Sequence, residues 1–253
     1  MLDQVTSIAA EAGRIAAARC GTAYRTWEKV PGHPVCDIDL EVNAFLRERL
    51  AAIDPDAGWL SEETLDDTDR IERRRLWVVD PIYGTRDYLR DRPGWCVSVA
   101  LVEDRVPVLG VLAAPIRGEL WTAARGLGSA RNGAALRVSP RSALPGARVP
   151  ADRLPRIDAD LAAVDRPNSI ALRIAMVAAG EADLVATLRW GFEWDIAAAA
   201  LIAEEAGATV SGVLGQPLAF NTASGEAFGV LVATPGIHAA AVERLRERAM
   251  AVV

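Results

Sequence analysis

Apolar residues recur along this chain with two different periods, and the switch between them outlines its elements. Val5, Ile8, Ala12 and Ile15 repeat at helical spacing and Gly21 supplies a stop, which predicts an amphipathic helix over residues 3–20. Val42, Phe45, Leu46, Leu50 and Ile53 form a second stripe. They predict a helix from about Asp39 to Ile53, with the Asp39 carboxylate at the electrostatically favoured amino-terminal end. The segment "GWLSEETLDDTDRIERRR" then opens like a short strand and continues as a charge run, most of which is expected to be solvated loop or turn.

From Leu76 the period shortens. The runs "LWVV", "WCVSVALV", "PVLGVLAAP" and "ELWTA" are parted by turn residues such as "EDR" and "IRG", and they predict neighbouring strands of one antiparallel sheet. The first run ends at Asp80, placing that acid at a strand's carboxyl end, where α/β sheets commonly assemble ligand sites. The stretch "SPRSALPGARVPADRLPRIDAD" lacks a clean period, so a subdomain junction is placed near residue 140, dividing 1–140 from 141–253. Beyond it, "SIALRIAMVAAG" reads as a helix stopped by Gly180 and "ADLVA" as a strand. "DIAAAALIAEEAG" follows as a helix stopped by Gly207, then "FGVLVAT" as a strand before a last helix. This alternation predicts helices packed on sheets, an α/β (α+β) fold.

Composition narrows the function. With 253 residues, 51% of them hydrophobic and 25% charged, the chain can bury a large core. No apolar run approaches the ~18 residues of a membrane span, and no basic, apolar leader opens the sequence, so a cytoplasmic location without membrane contact is expected. A net charge of -6 disfavours nucleic acid polymers as partners. Cys20, Cys36 and Cys96 are widely spaced, which argues against a zinc site and for unbonded thiols in a reducing compartment. His33 and His238 are read as partly exposed polar residues.

The acids carry the chemistry. Asp39, Glu62, Glu63, Asp80 and Asp195 all stand at element boundaries. Each has a bland reading: Asp39 and Asp195 as helix-start residues, the glutamates as solvated charges. Together they also suit a hard divalent cation such as Mg²⁺, which takes one or two carboxylates plus carbonyls, water and a substrate phosphate. Gly84 lets backbone approach a ligand closely, and the amides of Gly84, Thr85 and Arg86 offer donors to a phosphate.

The motifs "LSEET", "DPIYGT" and "WDIAA", in that order, resemble those of the inositol monophosphatase superfamily of Mg²⁺-dependent phosphatases. "SIALRIAMVAAGEADL" and "EEAGATVSGVLGQPLAFN" are similar to its later segments, so the resemblance runs nearly end to end. It implies a layered αβαβα sandwich of the inositol monophosphatase / fructose-1,6-bisphosphatase type and a homodimer. For the metals it implies Glu62, Asp80 and the Ile82 carbonyl at a first ion, with Asp80 and Asp195 sharing a second. Thr85, paired with Asp39, would orient the water that attacks phosphorus in line, with Glu62 also catalytic and no covalent phosphoenzyme formed.

Two departures qualify this expectation. The loop "KVPGHPVC" keeps Lys29 and Val35 but lacks the family's acid, serine and threonine, which argues against a third, loosely held Mg²⁺. Tyr83 stands where the family has a metal-binding aspartate, and a phenol with an ordinary pKa near ~10 is a poor substitute. Activity reduced by Tyr83 is therefore expected. Within the superfamily the motifs look closest to bacterial 3'(2'),5'-bisphosphate nucleotidases, which act on adenosine 3',5'-bisphosphate, with inositol monophosphatase as the alternative. Arg173, with Arg166, is the expected contact for a second phosphate. Three classes stay open: a working phosphatase, an impaired homologue that binds phosphate esters, and an unrelated α/β domain whose acids are only caps.

Overall fold

A computed structural model of the chain describes residues 1–29 and 34–252, so His33 lies outside the described residues. The first half runs α1 (Leu2–Arg19), β1 (Thr26–Glu28), β2 (Pro34–Cys36), α2 (Asp37–Ala51), β3 (Gly58–Ser61), β4 (Arg75–Tyr83) and the single turn α3 (Thr85–Tyr88). It continues with β5 (Cys96–Glu103), β6 (Val106–Ala114), β7 (Glu119–Ala124), β8 (Gly128–Arg131) and β9 (Ala134–Ala135). The second half has β10 (Arg148–Pro150), β11 (Ala162–Val164), α4 (Ile170–Ala178), β12 (Leu184–Ala186), β13 (Trp190–Phe192) and α5 (Glu193–Glu205). Then come β14 (Thr209–Ser211), β15 (Glu226–Phe228), β16 (Leu231–Ala233) and α6 (Pro235–Met250).

Strands β3 to β9 form one seven-stranded sheet in sequence order. β3 runs parallel to β4, and β4 to β7 are antiparallel neighbours, as the runs of apolar residues predict. Because side chains alternate across a sheet, each central strand splits between two cores. Trp77, Val79, Val97, Val99, Val111 and Ala113 meet α1 and α2 on one face. Leu76, Val78, Ala100, Val102 and Leu112 meet α4 and α5 on the other. A smaller sheet, ordered β12-β16-β14, repeats the device: Val185 and Val232 face α4 and α5, whereas Leu184, Leu231 and Ala233 face Ile237, Ala241 and Leu245 of α6. The result is the layered αβαβα sandwich.

Helix α5 comes unusually close to the large sheet. Ala197 to Ala200 give it a face without bulk, and alanine is also the best helix former. Opposite lies Gly110 of β6, where an added Cβ would sit 2.7 Å from the Ala198 carbonyl oxygen. Gly180 and Gly207, both at positive φ, follow α4 and α5 and act as the expected stops. Among the described residues, no helix is long and apolar enough to cross a membrane.

Two local expectations need correction. β4 does not end before Asp80 but continues to Tyr83, because β5 keeps pairing beyond Pro81. Asp80 pairs with Ser98 and Tyr83 with Cys96, so β4 carries one extra residue, a bulge at which a proline without an N–H is tolerated. The charge run after β3 hides Arg70, 2% exposed, which donates to both carboxylate oxygens of Asp66 and, at 2.8 Å, to Asn221 Oδ1. A satisfied guanidinium can be buried where a lone one cannot. His238 is partly exposed, as expected, with its Nε2 2.9 Å from Ser211 Oγ.

Gly110→Ala should push α5 off the sheet. Overpacking of this kind costs about 1–3 kcal/mol, so calorimetry should show Tm lower by roughly 2–10 °C. An unchanged Tm would mean that the helix yields without strain.

Candidate active site

The β4 bulge folds a short stretch of chain around one carboxylate. Asp80, 1% exposed, accepts the Ile82 amide on Oδ1 at 3.1 Å, while its Oδ2 is buried and has no hydrogen-bond partner. Thr85 Oγ1 donates to the Ile82 carbonyl at 3.1 Å. Between them Gly84 adopts φ 109°, and an added Cβ would lie 2.9 Å from the Gly94 carbonyl oxygen. Both the backbone conformation and the space demand glycine.

Parallel pairing of β3 with β4 brings the glutamates alongside. Ser61 stands opposite Val79, and the next amide, Glu62 N, points to the Val79 carbonyl. Lys29 bridges the pair: Nζ donates to the Glu62 carbonyl at 3.1 Å, lies 3.6 Å from Glu62 Oε1 and forms an ion pair with Glu63. The Glu63 side chain is 2% exposed, and burial pushes its carboxyl up to about 7 although Lys29 opposes the shift.

Asp39 and Asp195 arrive on two helix starts built alike. Neither is the capping residue itself. Each is the third helical residue and reaches back to the capping amide, Cys36 N at 2.8 Å for Asp39 Oδ2 and Phe192 N at 3.2 Å for Asp195 Oδ2. Cys36 Sγ adds a second bond to Asp39 Oδ2 at 2.9 Å. Glu193, the residue that opens α5, is fully buried and accepts Asn221 N, Thr222 N and Thr222 Oγ1, which clamps this helix start in place.

The acids repel one another through a poorly solvated interior. Burial pushes Asp39 up to about 6 and Asp195 up to about 7, with the Glu62 charge adding to both. Asp80 is raised well above the carboxylate range, first by burial and then by Glu62, Asp195, Asp39 and Glu63. Mutual repulsion of this sort marks a cluster suited to positive charge. Among the described residues, no three acidic, histidine or cysteine side chains gather as a ready-made metal cluster.

Glu62, Tyr83, Gly84, Thr85, Arg86 and Asp195 all line one open cleft. Asp80 and Ile82 are buried behind it. The expected pairing of Thr85 with Asp39 is absent, since the Thr85 hydroxyl donates to the Ile82 carbonyl three residues back. Tyr83 is half-buried, and burial with the charges of Asp195 and Asp80 raises its phenol, which therefore stays protonated. Arg173 does not line the cleft. It donates to the carbonyls of Pro167 and Asn168, both at 2.8 Å, and so holds the loop from which Asn168 reaches the cleft, while Arg166 pairs with Asp152. Arg189 does line it, as Arg86 does, together with Trp190, Phe192 and Trp194. Sequence reasoning passed over these residues, although an arginine and three aromatics within "RWGFEWD" offered a signal.

Known proteins give this arrangement its context. The chain is 30% identical over 241 residues to the 3'(2'),5'-bisphosphate nucleotidase CysQ of Aggregatibacter actinomycetemcomitans, covering 87% of either protein. It is 38% identical over 190 residues to the Nus factor SuhB of Xylella fastidiosa, covering 69% of this chain and 67% of that one. In three dimensions it superposes on the Thermotoga maritima IMPase with a TM-score of 0.86 at 27% identity, covering 100% of this chain and 99% of the other. A sequence model of the inositol monophosphatase family matches residues 1–252, and the chain belongs to that family.

Proposed function

We propose that this family phosphatase is a Mg²⁺-dependent phosphomonoesterase acting on adenosine 3',5'-bisphosphate, with turnover limited by Tyr83. The observation that carries the proposal is the buried, unpartnered Oδ2 of Asp80 amid the charges of Glu62, Asp195, Asp39 and Glu63. An orphaned carboxylate oxygen in such a field fits a hard cation, and the family's enzymes are metal-dependent. Glu62 and Asp80 would hold that ion with the Ile82 carbonyl, and Asp195 would join Asp80 at a second. When bound, the metal supplies Lewis-acid polarisation of a phosphoryl oxygen and a more acidic water. The second site fits poorly, because a protonated phenol at Tyr83 contributes no negative charge.

The chain's own groups supply the rest. Thr85 Oγ1 donates its hydrogen bond to the Ile82 carbonyl and so presents lone pairs to a water in the cleft. Glu62 takes the proton of that water as its oxygen attacks phosphorus, and the ester oxygen departs on the opposite side, gaining a proton from solvent. Asp39 sets the local potential and is the alternative partner of the Thr85 hydroxyl. Gly84 keeps the cleft floor low enough for a phosphate to reach Thr85 and Arg86. CysQ relatives matching over most of the chain support the bisphosphate as substrate. Inositol monophosphates form a second reading, favoured by the 31% identical inositol monophosphatase 2 of Solanum lycopersicum. Phosphate release from both compounds with Mg²⁺ decides between them, and release from neither rejects the phosphatase proposal.

Two further outcomes are expected. Asp39, Glu63 and Asp195 are raised from ordinary values near 4 to about 6, about 7 and about 7, so their penalty is absent below pH ~4 and complete above pH ~7. Metal-free protein should lose thermal stability across that window as pH rises. Mg²⁺, which binds the ionised carboxylates, should raise Tm more at pH 8 than at pH 5.5. Equal Mg²⁺ increments at both pH values would count against the cation site.

Tyr83→Asp should restore a ligand, increase Mg²⁺ stoichiometry in calorimetry and raise kcat by about 10² to 10⁴, equivalent to roughly 3–5 kcal/mol. Tyr83→Phe should change little. The reverse ranking would show that the phenol hydroxyl has a role of its own.

A further inference from the structure

The segment leading into Asp195 crosses directly over the acids. β13 pairs with β15, Trp190 opposite Phe228, and an added Cβ on Gly191 would lie 3.1 Å from Asp195 Oδ2. Strand alternation puts Trp190 and Phe192 on the same side. Phe192 stacks on Trp194 with centroids 4.4 Å apart and planes 9° from parallel, and Trp190 packs on Phe228 at 5.4 Å. Trp190 nevertheless remains 56% exposed at the cleft. Beside it, Arg189 lines the same cleft; its carbonyl accepts the Gly229 amide, but among the described residues its guanidinium makes no hydrogen bond or ion pair.

These neighbours have complementary tastes. An indole face favours a planar π-system, which stacks by dispersion and quadrupole. An unpaired guanidinium favours a phosphate, which it meets with two parallel N–H donors. A polyol ring needs hydrogen-bonding groups instead; this cleft supplies those through Glu62, Thr85, Arg86, Asn168 and Asp195, and not through the ring faces of Trp190, Phe192 and Trp194. Arg173 donates through Nε and Nη2 to the Pro167 and Asn168 carbonyls and does not line the cleft.

We infer that Arg189 and the aromatic rim of Trp190, Phe192 and Trp194 form the specificity element of the cleft. Arg189 holds the phosphate that is not cleaved, and Trp190 stacks on the nucleobase of a nucleoside bisphosphate. The inference rests on the phosphatase reading of the same site and adds which residues choose the substrate.

The test compares adenosine 3',5'-bisphosphate, adenosine 3'-phosphate and inositol 1-phosphate, using Mg²⁺-dependent phosphate release and quenching of tryptophan fluorescence. Arg189→Ala should raise KM and Kd for the bisphosphate at least about tenfold more than for the 3'-monophosphate, with Arg189→Lys recovering part of the loss. Trp190→Ala should weaken both adenosine compounds relative to inositol 1-phosphate, and Arg173→Lys should not reproduce the Arg189 pattern. Circular dichroism of each variant separates misfolding from lost contacts. Equal losses for all three ligands, or no loss in either variant, would overturn the assignment. Selective, Arg189-dependent bisphosphate binding without phosphate release would uphold it while rejecting the catalytic proposal.

Discussion

The close seat of α5 on the large sheet is the constraint on which the rest of this molecule depends. Gly110 removes a side chain where the Ala198 backbone passes, and the alanines of α5 remove bulk from the facing side. That contact sets the height of the helix start above β4, so Asp195 feels the same interior as Asp80. A bulkier interface would move the helix outward and separate the two acids. Glu193 then locks the helix end by holding Asn221 and Thr222, and Asn221 in turn accepts the buried Arg70. Packing in the core and polar clamps at the rim thus act on the same few residues.

The arrangement carries an electrostatic cost when empty of positive charge. Lys29 offsets part of it for Glu62, Glu63 and Asp39, and Arg189 offsets part for Asp195. Folding overcomes the remainder because hydrophobic burial on both faces of the sheet is so extensive, including Trp77 and Trp121 at 1% exposure. Stability is generated in the layers and drawn upon where strands and helix starts meet, the usual division between scaffold and site.

Much of this was legible in the sequence. The paired periods located the helices and the antiparallel run, since burial on two faces leaves continuous apolar strands with glycine stops between the later elements. The motif order placed Glu62, Asp80, Thr85 and Asp195 near one cleft. What escaped was geometry that depends on partners distant in sequence. Arg173 lies outside the cleft lining, with its guanidinium turned to the Pro167 and Asn168 carbonyls, and Arg70 looked solvated because its partner Asn221 lies far along the chain. Asp195 suggested a cap, whereas its carboxylate acts from the third helical position. The bulge after Asp80 was hidden by Pro81, which reads as a strand end unless the neighbouring strand is known to continue.

The three aspartates share one further trait. Asp39, Asp80 and Asp195 each commit a single oxygen to a backbone amide, those of Cys36, Ile82 and Phe192 respectively. The carboxylate planes are thereby fixed before any ligand arrives, and each acid has one oxygen left to offer. A cation entering this cluster would meet monodentate donors rather than chelating ones and would need water or a ligand's oxygens besides. The hydrogen bonds that start two helices and shape one bulge thus limit how many carboxylate oxygens the protein itself can offer.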